Sequence, residues 1–189
     1  TMFAVVHGVA FAPLPYPDDD QVMVVGSLRP RTGAEGQLTP RDAIETLPQM
    51  SSLQAFAYHS YGGADLLHGD RPRNLTLNTV SGQFFNVFGV APLLGRALND
   101  ADIGKPRTVL SHATWQSVFG GDPDVIGKTL KLNWISAEVV GVMPPTFEYP
   151  SPEVAIWLAA DQQELVDLES GVYNNARFLN GIARLRADV

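Results

Sequence analysis

The chain predicts an α+β fold in which two βα-type units pack with a hairpin-containing sheet, and three observations carry that prediction. One local design occurs twice. VSGQFFNVFG (80–89) and VLSHATWQSVFG (109–120) each run from apolar residues to a serine, a short amphipathic turn of helix and a glycine. A hairpin pattern follows at once in GKTLKLNWISAEVVGVMPP, 127–145. No low-complexity linker divides the chain, so a single α+β region is expected.

Taken in order, residues 2–14 carry no charge and fit either a buried strand or short helix, or the outer end of a transmembrane helix. Pro13, Pro15 and Pro17 break any helix there and start an extended segment. After the acidic run Asp18–Asp20, residues 21–27 read as a strand and 29–37 as a polar, glycine-containing loop, the most mobile interior segment. Thr39 caps a helix with Pro40 at its first position and Asp42 near its positive end, and Pro48 ends or kinks it. Ser51 with Gln54 makes a capping-box pattern that predicts a second helix through Leu53, Phe56 and Ala57. Residues 60–70 are glycine-rich and read as turns, and RNLTLNTV (73–80) alternates as a strand.

In the two repeats, Ser81 and Ser111 stand where N-caps accept orphan N–H groups. Val80 with Phe85, and Leu110 with Trp115, have the spacing of a hydrophobic staple. Phe84, Val87 and Phe88 share one helix face, as do Trp115, Val118 and Phe119; Gly89 and Gly120 supply the left-handed stop. A connection with Gly and Pro punctuation spans 89–107. In the hairpin, Leu130, Leu132 and Trp134 alternate with polar residues, and Pro144–Pro145 stop the returning strand. The turn Asn133–Ser136 lacks the usual glycine, which leaves its type open. EVAIWLAA (153–160) predicts a strand with Trp157 inward, 161–170 a short helix or loose acidic insertion, and 178–186 a final strand.

Composition excludes several functions. With 189 residues and 45% hydrophobic content, the chain can bury a real core. A formal charge of −7 and scattered Lys and Arg argue against nucleic acid. The absence of cysteine removes disulfides, thiolate metal sites and cysteine nucleophiles together. Within this sequence, no apolar run reaches the roughly 20 residues that span a bilayer.

Candidate chemistry is sparse. GKT at 127–129 is no phosphate loop, because Asp122 stands where the first glycine must be and the following residues alternate as a strand. Asp100 with Asp102 and Asp122 with Asp124 both fail the calcium-loop pattern, and GDPD (121–124) reads as a turn and cap. His7, His59, His68 and His112 show no metal spacing. No nucleophile elbow surrounds Ser111, so a Ser–His hydrolase has little support. The aromatic residues at helical or strand spacing read mainly as core. Arg96 and Lys128 each follow a glycine at the close of a repeat and are candidates for ion pairs or a partner contact.

LPYP (14–17), VSGQFFNVFGVAPLLGR (80–96), VLSHATWQSVFGGDPDVIGKTLKL (109–132), VVGVMPPTFEYP (139–150) and ARLR (183–186) follow one another as in the MacB-type periplasmic core domain. The chain resembles that domain, part of FtsX-like ABC-transporter permeases, from end to end. The resemblance implies a membrane-proximal stub over 1–17, leaving a transmembrane helix by the proline exit, and an extracytoplasmic core over 18–189 that continues past Val189 in relatives. It places Phe11, Leu14 and Tyr16 at or near the membrane interface, although Ala12 stands where relatives commonly carry a basic residue. It implies a non-catalytic, extracytoplasmic domain of an inner-membrane protein that passes on motion driven by ATP. The domain itself needs no cofactor, since ATP belongs to a separate cytoplasmic ABC ATPase. Expected partners are the transmembrane helices of the parent chain, a second permease subunit, that ATPase and, in some relatives, a periplasmic adaptor. The rival readings are a secreted or surface ligand-binding module with an aromatic patch, and a periplasmic hydrolase near Ser111, His112 or the Asp pairs.

Overall fold

β-branched and apolar residues at period two become eleven strands in the computed structural model, which describes residues 3–5, 16, 19–28, 35–67, 72–161, 165 and 175–187. The strands are β1 Phe3–Val5, β2 Val22–Leu28, β3 Glu35–Gly36, β4 Leu53–Leu66, β5 Arg73–Val80 and β6 Leu94–Gly95. They continue with β7 Arg107–Leu110, β8 Thr129–Lys131, β9 Ser136–Val142, β10 Ile156–Ala159 and β11 Asn180–Leu185. Two α-helices, α1 Phe84–Phe88 and α2 His112–Phe119, are the two repeats. One mixed sheet runs β1-β2-β11-β4-β5-β10-β7-β9-β6, with β3 on β2 and β8 on β9. The β5–β10 and β7–β9 pairs are parallel, and the other pairs are antiparallel.

The pleat sends alternate residues to opposite faces, and each face has its own helix. Ala57, Val80, Val109, Trp157 and Ile182 face α1, whose Phe84, Phe85, Val87 and Phe88 are all buried. Leu77, Leu110, Leu130, Val139 and Ile156 face the other way, against Trp115, Val118 and Phe119 of α2. Beyond them on that same face, Val25, Phe56, Tyr58 and Ala183 pack under Leu38, Ala43 and Leu47. Thr39 Oγ1 accepts the Asp42 N–H at 3.1 Å, so the expected cap is present. The turn it starts is π-helical over Asp42–Thr46 and tightens to a 3-10 turn at Leu47–Gln49, which contains Pro48.

β4, β5, β10, β7, β9 and β8 are successive neighbours, and the last meets the first. An antiparallel bridge joins Leu66 to Leu132, and Leu67 N–H donates to Lys131 O at 2.8 Å. The sheet therefore curls into a ring at this end, with α2 over its interior.

Four expectations are corrected. From Leu53 to Leu66 the expected capping-box helix and glycine-rich turns are instead one strand, β4, paired with β5 on one side and β11 on the other, while 68–70 lie outside the described residues. One cap is worth about 1 kcal/mol, too little against pairing along both edges of so long a strand. Ser81 does not cap α1. That helix starts from Gln83 with no side-chain cap, and the Ser81 hydroxyl accepts the buried Tyr58 N–H at 3.1 Å. Gly82 sets this course: a Cβ there would overlap Asn99–Asp100, which crosses against it. Of the readings for the uncharged N-terminal stretch, Phe3–Val5 take the strand, pairing with the otherwise open edge of β2. Finally, Glu35–Gly36 of the expected loop form β3, whereas 29–34 and the insertion at 162–164 and 166–174 lie outside the described residues. Among the described residues no helix is long and apolar enough to cross a membrane.

Candidate functional site

An aromatic cluster forms around α1 and Tyr16. α1 is only five residues long and cannot stand alone in water, so its three phenylalanines must be covered. Phe147 and Tyr149, after the strand-stopping Pro144–Pro145, lie over it, and Trp157 of β10 supports it from the sheet. Tyr16 completes the cluster. Its ring meets Phe88 edge-on at 5.1 Å and Phe147 at 5.5 Å, and its hydroxyl accepts the Glu148 N–H at 3.3 Å. Trp157 Nε1 donates to Tyr149 O at 3.2 Å, so the indole is satisfied as well. Burial pushes the Tyr16 and Tyr149 phenols up, keeping both neutral and apolar in character. Each edge-to-face contact adds about 0.5–1.5 kcal/mol beyond its burial.

Tyr16 is thus part of the core, 8% exposed. Being fixed by residues far along the chain, it ties the proline run to the body. Phe11 and Leu14 lie outside the described residues. Arg184 of β11 adds a second tie, its Nε donating to Val87 O at 2.8 Å near the C-terminal end of α1. Beside the cluster sits His59, 2% exposed, with its ring 5.6–5.8 Å from Tyr61, Phe84 and Tyr149. Burial lowers its pKa to about 4 and outweighs the opposing influence of nearby Asn78, while His59 Nδ1 and the Asn78 amide meet no hydrogen-bond partner of good geometry.

Arg96 and Lys128 each make an ion pair within the chain. The Arg96 guanidinium grips Asp102 with both terminal nitrogens, at 2.6 and 2.8 Å, and Arg107 Nη1 adds a third contact at 2.7 Å. The Asn99 N–H also reaches that carboxylate at 3.0 Å, and the Arg96 bonds hold it well below the usual carboxylate range. This clamp pins the 95–107 connection against β7. Lys128 pairs with Asp122 at 2.8 Å on the surface. The sequence singles out Arg96 and Asp102, but neither Arg107 nor the convergence of the three.

The groups that a hydrolase would need are engaged elsewhere. Ser111 Oγ accepts the Thr114 N–H at 3.2 Å as the expected cap, and the His112 ring packs on Trp115 at 5.5 Å. Asp122 Oδ1 accepts the Asp124 N–H at 2.9 Å, as the turn reading of GDPD predicts. Gln83 donates to Asp100. Among the described residues, no group of three or more His, Asp or Glu side chains could hold a metal ion. Sequence reasoning missed His59, Tyr16 and Arg184 as core members. Period two along β4 could have found His59 once its neighbourhood was read as a strand.

Among the described residues, a sheet with a helix on each face and an aromatic cluster that takes in Tyr16 define an α+β body. The MacB-like periplasmic core domain family matches residues 1–183, and the chain belongs to it. The fold is similar to the crystal structure of the periplasmic region of MacB from Actinobacillus actinomycetemcomitans, with a TM-score of 0.64 and 20% identity over 89% of this chain and 76% of that one. The extracellular domain of the noncanonical ABC-type transporter YknZ from Gram-positive bacteria gives 0.57 and 17%, over 80% and 75%. A domain of a protein described as a permease, from Porphyromonas gingivalis, gives 0.67 and 16%, over 92% and 79%. The search of curated proteins finds no match.

Proposed function

We propose that this chain is the non-catalytic outer domain of an ABC permease, passing on motion generated by ATP hydrolysis at a separate cytoplasmic ATPase. The observation that carries this reading is mechanical. β2 follows the proline run, pairs with β11, and β11 pairs with the 14-residue β4, whose far end is the ring. A strand of that length spans roughly 45 Å at the usual rise. Movement entering at Tyr16 or β2 would reach the far end through hydrogen-bonded strands and the Tyr16 lock. The domain would act beside a second permease subunit at the outer face of the inner membrane, in some assemblies with an adaptor. Family membership supports this placement.

The test uses the parent permease with its ATPase in nanodiscs, spin-labelled at exposed Gln116 and, in a second preparation, at Gln116 and Glu35 together. Trapping the ATPase with vanadate should change the distance between Gln116 labels on the two subunits. The Gln116–Glu35 distance within one domain should stay fixed. An unchanged intersubunit distance, or a domain that deforms internally, overturns the proposal.

A further inference from the structure

The aromatic shell around α1 encloses polar atoms that no neighbour satisfies. Asn78 of β5 and His59 of β4 are both fully buried residues. The two amide atoms of Asn78, Oδ1 and Nδ2, and Nδ1 of His59 have no hydrogen-bond partner. The register brings these side chains together. Tyr61 stands opposite Asn78 and His59 opposite Val80, so His59 and Asn78 are diagonal neighbours on one face of an antiparallel pair. The walls around them are apolar. Phe84 and Tyr149 pack on the His59 ring, and Trp157 stands beside Asn78 on β10, its indole N–H already donated to Tyr149 O.

Unmet donors and acceptors are costly in such a shell. A direct bond between the two side chains cannot satisfy all three atoms. Whichever way the amide is turned, one of its atoms meets Nδ1 and the other stays unmet. A water molecule has the complementary set. It accepts from Nδ2 and donates to Oδ1 and to Nδ1, and three bonds are the usual number for an internal water. The Nδ2 donor disfavours a cation and the Oδ1 acceptor an anion, whereas water suits both. Burial keeps the His59 ring neutral at neutral pH, so Nδ1 accepts when Nε2 carries the proton. There is also space beside the amide. Gly63, the other diagonal neighbour of Asn78 on β4, has no side chain, and a Cβ there would meet only Leu75 O, at 3.8 Å.

We propose that His59 Nδ1 and the Asn78 amide hold one internal water molecule, a fixed polar joint between β4 and β5 beneath α1. The proposal concerns a site inside the shell and does not depend on the motion-transmitting role.

The test is NMR on the isotope-labelled 189-residue chain at neutral pH. The Asn78 side-chain amide protons and the His59 ring should both cross-relax with a water that stays longer than the molecule takes to tumble. Nitrogen shifts of His59 should place its proton on Nε2. In His59→Phe the water keeps only its bonds to Asn78, so its cross-peak should shrink severalfold as it exchanges faster. Asn78→Leu should remove the contact between His59 and water. Four results overturn the proposal: no long-lived water at Asn78, a scalar coupling through a direct His59–Asn78 hydrogen bond, a proton on Nδ1, or a cross-peak unchanged by His59→Phe. The first three are read on the unaltered chain and stand even where a variant does not fold.

Discussion

α1 and α2 share a sequence pattern and are held in place by different forces. α1 has no side-chain cap, and Phe84, Phe85, Val87 and Phe88 are each 2% exposed or less. α2 has the Ser111 cap, and Trp115, Val118 and Phe119 are only partly buried beside a groove along β8. The difference lies in what arrives from elsewhere. Tyr16, Phe147 and Tyr149 close over α1, whereas the face of α2 near β8 stays open. A helix with a full lid can do without its cap, and one at an open rim relies on local bonds. Both still end on a left-handed glycine, Gly89 at φ 67° and Gly120 at φ 64°.

The sharpest way to break the contrast is to truncate one phenylalanine from each helix. Phe88→Ala should cost about 3–5 kcal/mol, the range for a fully buried aromatic, and Phe119→Ala about 1–2 kcal/mol. Urea midpoints at constant m would show it; equal losses would refute it. Acid comes next. His59 belongs to the α1 shell, and its folded pKa of about 4 lies below the ordinary 6.5. Its contribution is complete above pH 6.5 and is lost as pH falls toward 4, up to about 3 kcal/mol. His59→Phe should flatten the difference between urea midpoints at pH 7.5 and 4.5, and an unchanged slope would clear His59 of the effect. A smaller effect separates the serines. Ser81→Ala leaves the buried Tyr58 N–H without its acceptor and should cost about 1–2 kcal/mol, speeding exchange of that amide. Ser111→Ala removes only a cap, at about 1 kcal/mol, and should speed exchange in the first turn of α2 alone.

Much of the frame was legible in the residues. Alternation located the strands at 22–28, 73–80, 156–159 and 180–185 and the hairpin β8–β9, since each has one face in a core. β4 was not legible. Ser51 and Gln54 carry a genuine local preference for helix, and Gly62–Gly63 a preference for turns, but β11 and β5 claim both edges of this segment. Ser81 and Ser111 read alike, and only the approach of Asn99–Asp100 to Gly82 distinguishes them. Tyr16 fits the same account. Its burial depends on Phe147 and Glu148, far along the chain, and nothing near a proline run encodes that distance. The ion-pair clamp on Asp102 joins residues close in sequence, but its geometry depends on the turn at Asn99, which periodicity does not reveal.

β11 is inserted between β2 and β4, yet it is made after both. As the ribosome delivers the polypeptide, β4 can already find β5, but beyond its short pairing with β3, β2 lacks its neighbour β11 until Leu185 has emerged. Within the sheet, β2 is therefore joined to β4 by a strand synthesised after both. A nascent chain halted before Asn180 should leave β2 more open to protease than it is in the full chain.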